Sequence, residues 1–200
     1  PDGKRVAFYS NCGGSYEIWQ INTDGTGKRQ LTDTKGDVGF HTWSPDGKKM
    51  AVVIFDKGIF AFYIPDGEPV TNLTKLPGSS TPSGVLFPTS WSPDGRLLAG
   101  STSGTAGKSA SCTYSFEDKT IEKITDDSWT PLWFSDSNRL LLHNERNLVL
   151  IDNETKRQKE LLQLPEGVYF TGHTISKDNS EIFFTEAHVT ADIWLLRVEQ

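Results

Sequence analysis

Five short runs along the chain are apolar at consecutive rather than alternate positions: Val6-Ala7, Met50-Ala51, Leu98-Ala99, Leu141-Leu142 and Ile182-Phe183. A strand with one face in water alternates; one that is apolar on both faces is sandwiched between neighbouring sheets. Each run is followed by a second stretch rich in β-branched and aromatic residues: Glu17-Ile18-Trp19-Gln20-Ile21, Gly58 to Phe62, Ser111 to Tyr114, Asn147 to Ile151 and Asp192 to Leu196. More polar strands come next around Leu31-Thr32, Leu73-Thr74, Ile124-Thr125 and Leu161-Leu162, behind turn residues such as Asp24-Gly25 and Asp66-Gly67. Helical periodicity is scarce, so the pattern predicts an all-β chain.

The apolar runs are opened by one recurring turn. Trp43-Ser44-Pro45-Asp46-Gly47 returns as Trp91-Ser92-Pro93-Asp94-Gly95 and, shortened, as Pro1-Asp2-Gly3. Pro presets the first corner, Ser and Asp bond to nearby backbone, and Gly accepts a positive φ. Phe134 to Asn138 and Ile175 to Asn179 read as degenerate copies with Asn in place of Gly. Aligning Ser44, Ser92, Ser135 and Ser176 gives spacings of 48, 43 and 41 residues, the length of a four-stranded propeller blade. The fold class expected is therefore a β-propeller of four-stranded antiparallel blades, about five visible, in units 1–43, 44–91, 92–134, 135–175 and 176–200. The first and last blades come out incomplete, with three strands each. Since propellers commonly close by joining their chain ends in one blade, upstream sequence of a longer chain is expected to supply the two vacant strands. The 48-residue spacing contains the link Lys75 to Ser83, read as a tolerated insertion.

Composition narrows the classes. With 36% hydrophobic residues, and eleven Phe, six Trp and five Tyr in 200 residues, the chain can build large packed sheet surfaces. A net charge of −6 without a Lys/Arg stripe argues against a nucleic-acid surface. No apolar run has the length of a membrane span. Cys12 and Cys112 fall in non-neighbouring units, so no disulfide is expected.

The Trp-Ser-Pro-Asp-Gly motif followed by Lys or Arg and an apolar pair resembles the repeat of TolB-type β-propellers and of the related propeller domains in prolyl-oligopeptidase-like peptidases. Tyr16 to Trp19 and Arg29 to Thr32 look like further strands of the same repeat. The resemblance covers the whole chain and implies several roles. TolB-type propellers dock proteins, peptidase propellers gate an attached hydrolase, related lyase propellers act on pectin fragments with a channel metal, and others are sensor halves of signalling proteins. A bacterial, periplasmic or secreted setting is also implied by the resemblance alone.

Candidate chemistry is thin. Gly104 to Ser109 ends like a phosphate loop, but Thr102 stands where its first Gly belongs and no helix follows, so it reads as a hairpin loop. No nucleophile elbow surrounds Ser90, Ser92 or Ser15. His41 and His173 lie three residues before Ser44 and Ser176 on the innermost strand, with Thr89 and Leu132 as counterparts. A channel could bring them together to hold a transition metal or, as the lyase resemblance implies, an acidic sugar. The preferred reading is that they pack between blades, since two His without a carboxylate make a poor metal site. His143 and His188 do not join them by register. Asp2, Asp46 and Asp94 are turn residues. Among the Trp, Trp19 and Trp194 read as core and Trp129 as the exposed one, available for stacking on a ligand.

The expected function is thus a non-enzymatic scaffold propeller, without cofactor or metal, that binds a protein or small ligand through loops or channel mouth. The candidate contacts are His41, Thr89, His173 and Trp129. The alternatives are a channel-metal carbohydrate lyase and a gating or sensor propeller of a larger protein. If the turn Trp rings fill gaps between blades, Trp43→Ala or Trp91→Ala should cost about 3–5 kcal/mol in denaturant unfolding, and a loss under ~1 kcal/mol would place the rings in solvent.

Overall fold

Successive hairpins pair antiparallel throughout the computed structural model, which describes residues 1–55, 57–81, 84–103, 109–126 and 128–188. No helix occurs among them. The first sheet holds β1 (Arg5–Ser10), β2 (Glu17–Asn22) and β3 (Arg29–Gln30). The second holds β4 (Val38–Trp43), β5 (Lys49–Ile54), β6 (Gly58–Tyr63) and β7 (Thr74–Lys75). The third has five strands: β8 (Ser80–Thr81), β9 (Gly84–Trp91), β10 (Leu97–Ser103), β11 (Ser109–Ser115) and β12 (Ile121–Asp126). The fourth holds β13 (Trp129–Trp133), β14 (Arg139–His143), β15 (Asn147–Asp152) and β16 (Gln158–Gln163), and the last β17 (Val168–Ile175) and β18 (Ile182–His188). This is an all-β propeller with incomplete end blades. In the second to the last sheets the strand that precedes the turn, β4, β9, β13 or β17, pairs with the strand that follows it, so these sheets are cut one strand earlier than the sequence units. The short β8, which pairs with the start of β9, falls in the long link and was not expected. The expected strand Asp192 to Leu196, with Trp194, lies outside the described residues, as do Gly104 to Lys108.

The core is four layers, each between adjacent sheets. Met50, Val52 and Ile54 of β5 pack with Ile18, Leu31 and Val38 against the first sheet, while Ala51 between them faces Leu86, Leu98 and Tyr114 of the third. In β14, Leu140 and Leu142 join Ala99, Ile124 and Ile151, and Leu141 joins Leu148, Val168 and Phe170. Consecutive apolar residues are thus shared out between two cores, the physical reason for the unalternating pattern. The innermost strands follow one another around an axis, β4 on β9, β9 on β13 and β13 on β17. The outer β16 is exposed along its whole length.

The turns are built as their chemistry dictates. The Ser44 hydroxyl donates to Asp46 Oδ1 at 2.6 Å and accepts from the Lys49 amide at 2.9 Å, while the Lys48 amide donates to the same carboxylate at 3.0 Å. Ser92 with Asp94, and Ser176 with Asp178, repeat the arrangement. Gly47 takes a φ of 68° and Asn179 a φ of 59°.

The fourth turn differs from expectation. The Phe134 amide donates to Arg139 O, as the Ser44 amide does to Lys49 O, and Ser137 rather than Asn138 takes the positive φ, 59°. Phe134 therefore occupies the place of Ser44, and the equivalent residues Ser44, Ser92, Phe134 and Ser176 are spaced 48, 42 and 42 apart. Without the hydroxyl, Asp136 anchors the turn by accepting from the Asn138 and Arg139 amides and pairing with the Arg139 side chain, whose guanidinium lies over the Phe134 ring.

Trp91 stacks on Phe116 with centroids 4.7 Å apart, and its indole N–H donates to Gly95 O. Trp43 is half-buried against the first core layer. Cys12 is exposed and Cys112 buried, both as free thiols.

Since Leu141 is fully buried between the fourth and last sheets whereas Leu161 lies exposed on β16, urea unfolding should show a loss of about 2–5 kcal/mol for Leu141→Ala and under ~0.5 kcal/mol for Leu161→Ala.

Candidate functional site

The innermost strands share one irregularity. β4 carries an extra residue between Gly39 and Thr42, β13 between Trp129 and Leu132, and β17 between Phe170 and Gly172, while in β9 Ser90 and Pro88 flank the unpaired Thr89. A bulge bends its strand and re-aims the side chains beside it. At two of them a non-glycine residue takes a positive φ, Phe40 at 45° and Thr130 at 54°, a conformation disfavoured for side chains of this size.

The bulges of β4, β9 and β13 line an axial cavity of about 300 Å3 whose walls are Tyr9, Gly39, Phe40, His41, Phe55, Pro88, Thr89, Thr130 and Leu132. None of these residues carries a formal charge. Phe40 is 47% exposed and leans on Phe87 and Phe55 with centroids 4.7 and 6.0 Å away. Tyr9 stands edge-on to His41 at 6.4 Å.

His41 and Thr89 thus meet in one cavity, but His173 is not part of its wall. Nε2 of His41 lies 3.0 Å from Ala7 O, and Nε2 of His173 lies 3.3 Å from Leu141 O. A carbonyl only accepts, so both rings are Nε2–H tautomers, and each bolts its strand to the second strand of the preceding blade. The remaining Nδ1 of each is buried without a partner among the described residues. Thr89 donates to Pro131 O at 2.6 Å. With the fourth turn shifted by one residue, the counterpart of His41 and Thr89 is Pro131, not Leu132.

The register argument that separated His143 from this group is also corrected. His143 is buried on β14 and meets the His173 ring edge to face, centroids 5.1 Å apart. Its Nδ1 donates to Asn144 O and its Nε2 accepts from the Thr130 hydroxyl, the opposite tautomer from its neighbour. β17 brings His173 to it from the next blade, which local spacing could not reveal. Burial lowers the pKa of His41 and of His143, each opposed by its backbone carbonyl. That of His173 is pushed down to about 4, by burial first and then by His143, against the pull of Leu141 O.

Trp129 opens a different place. Its ring leans on His143 at 5.9 Å, and it lines a cavity of about 480 Å3 with Ser109, Asn144, Glu145, Arg146, Asn147 and Gln163. His188 is on β18 beside Glu186, away from both cavities.

No protein-family model matches the chain. Over 109 residues it is 30% identical to the uncharacterized protein Atu1656 of Agrobacterium fabrum, covering 50% of this chain and 36% of that protein. Over 106 residues it is 28% identical to dipeptidyl-peptidase 5 of Porphyromonas endodontalis, covering 49% of this chain and 14% of the peptidase. Among solved structures, TolB from Acinetobacter baumannii superposes with a TM-score of 0.71 at 18% identity, over 96% of this chain and 50% of TolB. Oligogalacturonate lyase from Vibrio parahaemolyticus does so with a TM-score of 0.69 at 14% identity, over 94% of this chain and 56% of the lyase.

The fold is that of the TolB-type β-propellers. The chain spans about half the length of these two solved structures and a smaller share of the curated relatives.

A channel metal of the lyase kind does not fit this chain. Among the described residues no three of His, Cys, Asp and Glu gather to hold an ion, and the free lone pairs of His41 and His173 are buried. An acidic sugar would likewise meet no cation in the axial cavity. Phe40 and Thr130 escaped the sequence reading, which set His143 aside; the one local signal of the bulges is Pro88 and Pro131, since Pro inside a strand marks a bulge or an edge.

The His173 environment sets an acid limit on stability. The folded chain holds this imidazole neutral down to about pH 4, whereas the unfolded imidazole takes up its proton near the ordinary histidine value of 6.5. Stability should be flat above that value and fall by about 2–3 kcal/mol as pH drops through the interval. Urea midpoints between pH 7 and 4.5 should fall less steeply for His173→Gln, and coincident profiles would assign the loss to other groups.

Proposed function

We propose that this propeller is a non-enzymatic binding domain that takes an apolar side chain of a partner protein into its axial cavity. The observation that carries the reading is the uncharged, aromatic wall formed by Phe40 of the bulged β4 together with Tyr9 of β1 and Phe55, which follows β5. A cavity of about 300 Å3 is at the small end for a free ligand and suits one aromatic or branched anchor residue. Aromatic groups exposed together on a soluble chain mark interaction sites. His41, neutral and engaged with backbone, serves the wall rather than chemistry, and His173 fastens blades outside it.

The docking role implied by the resemblance to TolB-type propellers supports this reading, and among the described residues no three of His, Cys, Asp and Glu gather as a channel metal would require. Exposed Val6 and Tyr9 on β1 and Phe183 and Phe184 on β18 leave apolar faces on both end sheets. We propose that further blades of a longer chain cover them, in line with the greater length of the relatives.

A library of displayed peptides selected on the full chain should yield ligands with a Phe, Trp or Leu anchor, and Phe40→Ser should weaken a fluorescent version at least ~10-fold. Selected peptides without an apolar anchor, unchanged affinity in that variant, or turnover of oligogalacturonate by the chain with added Mn2+ would refute the reading.

A further inference from the structure

We infer that the cleft between the third and fourth sheets, around Trp129, is a binding site for a neutral sugar, separate from the axial cavity and from the reading proposed for it. The cleft is held by the strand ends and the β14–β15 hairpin, and its volume of about 480 Å3 falls within the range of small-molecule sites. Three of its features converge on one ligand chemistry.

The first is an aromatic platform. Trp129 is 37% exposed, its ring steadied from one side by His143. An indole face accepts the C–H face of a pyranose, and its amphipathic ring is suited to a ligand that is apolar on one face and wet at its rim.

The second is a set of planar polar groups fixed before any ligand arrives. Oδ1 of Asn144 accepts from the amides of Arg146 and Asn147 at 3.1 and 2.7 Å, which locks that side chain and leaves its NH2 unengaged among the described residues. Nε and Nη2 of Arg146 donate to Leu164 O at 3.1 and 2.8 Å, so the guanidinium is anchored with Nη1 still unengaged. The Glu145 carboxylate and the Gln163 amide complete a rim that offers both donors and acceptors. Sugar hydroxyls both donate and accept, so a mixed rim matches them where an all-donor rim would select an anion. Preorganised groups also reduce the entropy lost on binding.

The third is charge. Arg146 and Glu145 are the only formally charged side chains on the cleft wall among the described residues, and they cancel. A uronic acid or a phosphate would find no net attraction, and a nucleobase would leave most of the rim without hydroxyl partners.

The test is titration of the full chain with glucose, N-acetylglucosamine, maltose and cellobiose, with galacturonic acid and adenosine as contrasts, followed by calorimetry and tryptophan fluorescence. At least one neutral sugar should bind and perturb the fluorescence. Its affinity should fall at least ~10-fold in Trp129→Ala and in Asn144→Ala, and stay within ~3-fold of wild type in Trp129→Phe, which keeps a platform, and in Phe40→Ser, which alters only the axial cavity. Thermal melts of each variant separate loss of the site from loss of the fold, and with an unfolded Trp129→Ala the Asn144→Ala result decides. No binding of any neutral sugar, tighter binding of galacturonic acid or adenosine, or affinity unchanged in both site variants would overturn the inference.

Discussion

The structure depends on the second strand of each middle blade being buried on both faces. Met50, Val52 and Ile54 turn one way and Ala51 the other, so each blade has a core only where a neighbour presses on it. A single four-stranded sheet of this kind could not retain its shape in water, because one of its faces would be apolar and bare. Radial stacking follows, and with it the position of the innermost strands around an axis. The His side chains belong to this constraint. His41 and His173 donate to the backbone of the preceding blade and so fasten adjacent sheets where the inner strands are irregular.

Both proposed sites lie where the regular ladder fails. β4, β9 and β13 each place an unpaired residue on the wall of the axial cavity, and two of these kinks force Phe40 and Thr130 into the left-handed region. Backbone strain of that kind persists only when surrounding packing imposes it. Beside these kinks lie an uncharged cavity with Tyr9, Phe40 and Phe55 on its wall and a separate polar cleft at Trp129. The two cavities differ in chemistry although they share the β13 strand: the axial one is apolar, and the lateral one is rimmed by amides and one charge of each sign.

Much of the fold was legible because turns and strands are local. The Ser–Asp–Gly chemistry at Ser44 and Ser92 needs only five neighbouring residues, and paired apolar positions report burial on both faces wherever they occur. The fourth turn shows where local reading slips. Ser135 offered the same letter one position late, whereas the hydrogen bond from Phe134 to Arg139 shows that a buried Phe took the serine's place and Asp136 took over its anchoring role. That shift of one residue also moved the supposed counterpart of His41 from Leu132 to Pro131.

The amino-acid sequence by itself determined the all-β class, the blade-length repeat, the turn geometry and the exposed character of Trp129, since each rests on contacts within a hairpin or on side-chain periodicity. Tertiary structure alone decided which histidines meet. His143 and His173 are 30 residues apart and on different sheets, and their rings are joined only because β17 packs against the β13–β14 hairpin. It also decided that the imidazole lone pairs are buried and that Phe40 faces the axis. These outcomes depend on bulges and on the angle between neighbouring blades, which no run of adjacent residues encodes.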